Sequence, residues 1–178
     1  MRDARFEQKY DLVIASYTLG ELNDADREQV ISNLWSITGK ILLIVEPGTP
    51  LAFSNLRSAR IQLISEGATV LAPCPHSDTC PLPDDDWCHF TCRISRSRLH
   101  KQLKGGEVPY EDEKYSYVAV TRCPVQTDAG RILRHPLVEN GRITMRLCTG
   151  NGIETRCITK KQKDIYKAAR KAKCGDIF

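Results

Sequence analysis

Apolar residues come first in short runs and at helical spacing along this chain, and only later in alternation broken by glycine turns. YDLVIASYTLGEL holds Leu12, Val13, Ile14 and Ala15 as a run of the kind that a parallel sheet covers on both faces. A helix follows, capped by Asn23 or Asp24, with Val30, Ile31 and Leu34 at helical intervals until Gly39 ends it. Ile41 to Val45 form a second strand that stops at EPGTP. Residues 51 to 66 read as a second helix through Leu51, Phe53, Leu56, Ile61, Leu63 and Ile64, ended by Gly67, and Ala68 to Leu71 make a third strand. Strand, helix, strand, helix, strand is the parallel α/β signature with right-handed crossovers.

The pattern changes after Pro73. A polar, cysteine-rich stretch runs to Cys92, a short helix is expected near Ile94 to Leu103, and the alternation of YSYVAVT marks a fourth strand over Tyr115 to Thr121. From Arg131 the chain breaks into short β segments with turns at Asn140-Gly141 and Gly150 to Gly152. A small β module, a three-stranded meander, is expected there, ending in a basic helix over Lys163 to Lys173. The organisation read from the chain is thus a domain over residues 1–125, with an insertion at about 73–92, and a module over 126–178.

Composition narrows the class of function. The 178 residues are 41% hydrophobic and 27% charged, an ordinary globular balance. No apolar run approaches the roughly 20 residues that span a bilayer, and MRDARFEQKY is too polar for a signal peptide. No membrane association is expected; the cytoplasm is, or a mitochondrial matrix if a presequence has been lost. In either compartment the eight cysteines read as reduced or metal-bound thiols. Charge is unevenly spread: residues 1–130 carry 14 Lys+Arg against 18 Asp+Glu, net minus four, while residues 131–178 carry 12 against 4, net plus eight. Such a block attracts polyanions, so RNA or DNA is the expected partner class.

The most specific chemistry lies in CPHSDTCPLPDDDWCHFTC. Cys74, Cys80 and Cys88 stand at C-x5-C-x7-C in a proline-rich stretch with too few apolar residues to bury a core of its own. Thiolate ligation would order it, and four thiolates are the usual complement of zinc or an iron-sulfur cluster. Spacings longer than the C-x2-C of structural zinc sites favour the bulkier cluster. On spacing alone the fourth ligand stays open among Cys92, Cys123, Cys148, Cys157, His76 and His89. The two histidines are expected to hydrogen-bond the ligands from outside the coordination shell, and Asp84 to Asp86 to form a solvated loop.

Taken together, DLVIASYTLGEL, ILLIVEPGTP, APCPH-x3-CP, WCHF, YSYVAV, LCTGNGIETR and KAARKAKCGD resemble the ribosomal small-subunit-associated methyltransferase-like proteins of bacteria and mitochondria, over nearly the whole chain. The resemblance implies a Rossmann-like S-adenosylmethionine methyltransferase fold with an inserted 4Fe-4S cluster, acting on the small ribosomal subunit by binding its rRNA. It also implies Cys74, Cys80, Cys88 and Cys148 as the cluster ligands. Cys92, Cys123 and Cys157 are left as small, partly buried hydrophobes, and Cys174 stands where the family would carry tryptophan.

Against that family pattern, YDLVIASY resembles the fourth strand of the sheet and GKILLIVEPG the fifth, with no glycine-rich first turn or acidic ribose ligand before them. The fold class expected is therefore the C-terminal half of a Rossmann-like methyltransferase sheet, with an unpaired apolar edge at YDLVIASY. S-adenosylmethionine should bind this chain weakly or not at all, unless a missing N-terminal half or a partner chain completes the crevice. In that case Ser16, Tyr17, Glu21, Glu46, Pro47 and Gly48 would face the cofactor. Arg142, Arg146 and Arg156 of the module and Lys160, Lys161, Lys163, Lys167, Arg170, Lys171 and Lys173 after it are the expected RNA contacts, extended by Arg93, Arg96, Arg98 and Lys101. The leading reading is an rRNA-binding assembly or translation factor. The alternatives are an RNA methyltransferase completed by another chain and a zinc-binding nucleic-acid module.

Overall fold

A computed structural model describes residues 8–97, 99, 102–103, 108–125 and 129–178. Five strands form the first sheet: β1 (Tyr10–Ser16), β2 (Thr38–Pro47), β3 (Thr69–Ala72), β4 (Phe90–Ser95) and β5 (Tyr110–Thr121). Their order is β1-β2-β5-β3, with β4 also on β5. β1 and β2 are parallel, but β5 lies between β2 and β3 and runs antiparallel to both. The sheet is mixed, consistent with a Rossmann-like fold. The first three strands do share one direction; the late strand β5 separates the second from the third, and no local pattern in either strand encodes that insertion.

Helices α1 (Asp24–Ile37) and α2 (Pro50–Ser65) link the parallel strands. Asn23 caps α1 by accepting from the Asp26 N–H at 2.9 Å, as its side chain and position allow. Gly39 does not terminate α1. The helix passes directly into β2, and its last carbonyls are held from far along the chain by Arg122, which donates to Trp35 and Thr38 at 2.6 and 2.8 Å and lies over the Trp35 ring. Thr49 caps α2, whose first residue is Pro50.

The main core joins Val13 and Ala15 of β1, Leu42 and Ile44 of β2, Leu56 and Leu63 of α2, and Val118 and Val120 of β5. Leu12 and Ile14, on the other face of β1, are 54% and 57% exposed. The run is thus covered on one face, and β1 has a strand partner only on its β2 side among the described residues. That is the apolar edge expected from the sequence. Leu51 and Ile61 of α2 also face outward, whereas Arg60 is buried.

β3 and β4 lie end to end along the same edge of β5: Ala72 pairs with Ala119, and Phe90 with Tyr115. The chain between them, residues 73 to 89, loops out over the middle of β5, where Ser116 donates to the Cys88 carbonyl at 2.7 Å. Of the helix expected near Ile94 to Leu103, Ile94 and Ser95 belong to β4 and Leu99, Gln102 and Leu103 are helical, while Arg98, His100 and Lys101 lie outside the described residues. The boundary expected at 125/126 also reaches residues outside the description.

The module is a second sheet of β6 (Arg131–Ile132), β7 (Leu137–Glu139), β8 (Arg142–Thr149) and β9 (Gly152–Thr159). β6 and β7 share one edge of β8 and β9 takes the other, so the expected meander has an outer strand interrupted between Leu133 and Pro136. Asn140-Gly141 makes the β7–β8 turn, with Gly141 at φ 82°, a conformation that favours glycine. Helix α3 (Lys163–Ala169) buries Ala169 against Ile132, Ile143, Met145, Leu147 and Ile158, and is shorter than the expected 163–173. Gly130 and Phe178 exchange backbone hydrogen bonds that close the module at its C-terminus. Among the described residues no helix is long and apolar enough to cross a membrane.

Candidate metal centre

Cys74 follows β3, Cys80 and Cys88 lie further along the excursion, and Cys148 sits near the end of β8, between Arg131 of β6 and Ile153 of β9. All four line one cavity of about 40 Å³ beneath α2, with Arg60 and Arg131 also in its wall. A water needs roughly 10–15 Å³ of such space, so the cavity has room for a larger occupant. Leu82, Leu133 and Cys148 form an apolar cluster of their own around it. Residues as far apart along the chain as Arg60 and Cys148 therefore line one cavity between the excursion and the β module.

Every cysteine is a free thiol, and Cys92, Cys123 and Cys157 are exposed rather than partly buried. They lie on the outward faces of β4, of the turn after β5 and of β9, where no packing is available. Cys174 is half-buried and donates its S–H to the Leu133 carbonyl at 3.3 Å.

Burial raises the pKa of the thiols in the cavity. Cys74 is raised by burial, opposed chiefly by Arg60. Cys88 goes well above the thiol range through burial and then the charges of Cys74, Cys148 and Cys80. Cys148 is pushed up to about 12 by burial, then by Cys74 and Cys80, with Arg60 and Arg131 pulling the other way. The sulfurs therefore sense one another across the cavity. Yet no group of three or more His, Cys, Asp or Glu side chains among the described residues is drawn close enough to hold a single metal ion.

Two buried side-chain nitrogens among the described residues have no hydrogen-bond partner, Arg60 Nε and His76 Nδ1, and both belong to this site. Arg60 Nη2 donates to the carbonyls of His76 and Asp78 at 2.9 and 2.7 Å, folding the excursion onto α2. His76 Nε2 lies 3.6 Å from Cys148 Sγ, within hydrogen-bonding distance of that sulfur. His89 instead stacks on Trp87, with centroids 5.1 Å apart. Arg131 donates to the Pro73 and Gly175 carbonyls, each at 2.8 Å. Four soft sulfur donors beside the buried Arg60 and the half-buried Arg131 suit a thiolate-bound anionic centre.

Neither arginine was singled out from the sequence. For Arg60 a signal was available: it occupies the apolar stripe of α2 between Leu56 and Leu63, where a charged residue is out of place. Asp86, expected in a solvated loop with Asp84 and Asp85, is instead half-buried between two arginines of the module. It accepts from Arg134 and, at 2.7 Å, from Arg146, while Asp84 and Asp85 are exposed as a solvated loop should be.

The residues expected to face a cofactor are dispersed in use. Ser16 and Glu21 are exposed, and Tyr17 is exposed in a left-handed backbone conformation at φ 55°. Glu46 is buried, and its Oε1 accepts from the N–H groups of Thr18 and Leu19 at 3.0 and 2.9 Å. Pro47 pairs with Tyr115 in the sheet. At Gly48 a Cβ would lie 2.6 Å from Lys114 Cβ and 2.8 Å from its carbonyl carbon, and the Gly48 carbonyl accepts from Trp87 Nε1 at 3.0 Å. Gly48→Ala is expected to destabilise the protein by about 2 kcal/mol, the usual scale of overpacking against backbone, as checked by urea unfolding; an unchanged midpoint would contradict the close approach.

Several expected RNA contacts are paired with carboxylates: Arg142 with Glu139, Arg156 with Glu154, Lys167 with Asp164, and Arg146 with Asp86. Arg93 and Arg96 pair with Asp112 and Glu111. Lys160 reaches Asn140 at 3.4 Å. Lys161, Lys163, Arg170, Lys171 and Lys173 are exposed and have no ion pair among the described residues, so the uncompensated charge gathers around α3.

The family described as Mitochondrial small ribosomal subunit Rsm22 matches residues 1–178. The chain is 29% identical over 186 residues to the human ribosome assembly protein METTL17, mitochondrial, covering 96% of this chain and 40% of that protein. It is 25% identical to the Rsm22-cox11 tandem protein 2, mitochondrial, of Schizosaccharomyces pombe, covering 97% and 29%, and 22% identical to the ribosome assembly protein RSM22, mitochondrial, of Saccharomyces cerevisiae, covering 96% and 44%. It spans less than half the length of these curated relatives. With a family match that runs through both sheets, the four-thiol cavity and the basic C-terminus, this chain belongs to the Rsm22 family.

Proposed function

We propose that this chain is the rRNA-binding, cluster-bearing part of a small-ribosomal-subunit assembly factor, with a Rossmann-like half and a basic β module joined by a 4Fe-4S cluster on Cys74, Cys80, Cys88 and Cys148. The observation that carries the reading is the meeting of these four thiols, from both halves of the chain, on one cavity whose wall holds Arg60 and Arg131. A donor set open around a cavity suits a multi-atom cluster better than one tetrahedral zinc, whose ligands close to about 2.3 Å from the ion. The names of the relatives support the ribosomal partner and favour mitochondria over the cytoplasm. S-adenosylmethionine is not part of the proposal, because Glu46 and Gly48 are already used inside the fold.

Iron and sulfide analysis of anaerobically isolated protein tests the cluster. Brown protein with about four irons per chain is expected; colourless protein with one zinc would replace the cluster by an ion. For the partner, binding to small-subunit rRNA should weaken about a hundredfold between roughly 50 and 200 mM salt, the slope that about five phosphate contacts produce. Affinity that does not move with salt would remove RNA from the proposal.

A further inference from the structure

We propose that Arg60 is the counter-charge that sets the reduction potential of the thiolate-bound cluster, an inference that rests on the cluster reading above. Arg60 is 5% exposed and has no carboxylate partner among the described residues. A cation at that depth is unfavourable unless an anion shares the site, and a buried donor without an acceptor adds to the penalty. A tether to the carbonyls of His76 and Asp78 accounts for Nη2 alone and leaves Nε idle. The anion this group faces is the sulfur set: Arg60 lines the same cavity as Cys74, Cys80, Cys88 and Cys148.

Four thiolates around an oxidised 4Fe-4S core make a dianion. Uptake of one electron gives a trianion, with no bond made or broken. A fixed guanidinium stabilises the trianion more than the dianion, so its presence raises the potential, and burial keeps water from screening the effect. Arg131 also lines the cavity, but it is less buried, and its Nε and Nη1 donate to the carbonyls of Pro73 and Gly175. Arg60 is therefore the stronger lever.

The test uses the full chain isolated anaerobically, with iron counted first and the cluster then titrated with dithionite at controlled potential. Arg60→Gln is expected to lower the reduced-to-oxidised ratio at fixed potential about tenfold, a shift of about 59 mV for one electron. Arg60→Lys, which keeps the charge, should stay within about threefold of the parent on the same scale. A parent protein without iron overturns the cluster reading and this assignment with it. Iron present, with an unchanged potential in Arg60→Gln, overturns the assignment and leaves the cluster standing. If Arg60→Gln does not retain iron, Arg60→Lys decides: iron kept at the parent potential supports the counter-charge, whereas iron lost despite the retained charge shows that Arg60 acts through its loop hydrogen bonds.

Discussion

Exchanging Cys148 for serine is expected to reduce bound iron at least tenfold and to lower the melting temperature by about 10 °C. Changes merely outside a coordination shell already weaken metal sites roughly 10–100-fold, and removal of a ligand should do no less. Serine is close to cysteine in volume, so a packing defect contributes little. The thermal effect follows from where Cys148 stands: it is the one member of the four that comes from the β module, on β8, while Cys74, Cys80 and Cys88 come from the excursion over β5. A centre bound to all four clips the two sheets together. Losing about 3 kcal/mol of that coupling corresponds to about 10 °C at roughly 2–4 °C per kcal/mol in a chain of this size. Serine at Cys92, Cys123 or Cys157, all exposed, should leave iron and melting unchanged. Calorimetry with iron analysis on the four variants reads both quantities, and full iron in the Cys148 variant would break the proposed link between the halves.

Replacing Asp86 by alanine is expected to destabilise the protein by about 2 kcal/mol, between the scale of a surface ion pair and that of removing one partner from a fully buried one. The Asp86 carboxylate is 18% exposed and is shared by Arg134 and Arg146, both from the β module. Its Oδ1 also accepts from the Trp87 N–H at 2.8 Å, and Arg134 donates to the Trp87 carbonyl at 3.0 Å. Alanine would leave two guanidinium groups facing one another without an anion. Asp84 gives the matched control: its side chain is 94% exposed, its partner among the described residues is Arg57 alone, and Asp84→Ala should change stability by less than about 0.5 kcal/mol. Urea unfolding of the two variants separates them. Equal midpoints would mean that the Asp86 pairs are screened like surface pairs.

These two sites also divide what could be read along the chain from what could not. Periodicity located β1, α1, β2, α2 and β3 within a few residues, because one-sided burial imposes a local repeat on each element. Asn140-Gly141 announced its hairpin because the turn demands a positive φ that few residues accept. Charge counting placed the basic block at the C-terminus, but α3 and its flanks hold the unpaired cations, while Arg142, Arg146 and Arg156 lie against carboxylates. Ion pairing is a distance in space, and composition carries no record of it.

From its residues alone the chain determined the α/β elements, the three clustered cysteines, the meander and the basic end, since each is a property of neighbours in sequence. The likeness to a family supplied Cys148, and the cavity it shares with Cys74, Cys80 and Cys88 emerged only in three dimensions. Tertiary structure alone decided that β5 enters between β2 and β3, that Arg122 closes α1, that Arg60 lies buried against the thiols and that Asp86 joins the excursion to the β module. Each of those contacts brings together groups from distant parts of the chain. Whether a lone charge on a helix stripe is a defect or a ligand's counterpart depends on what the rest of the fold places opposite it.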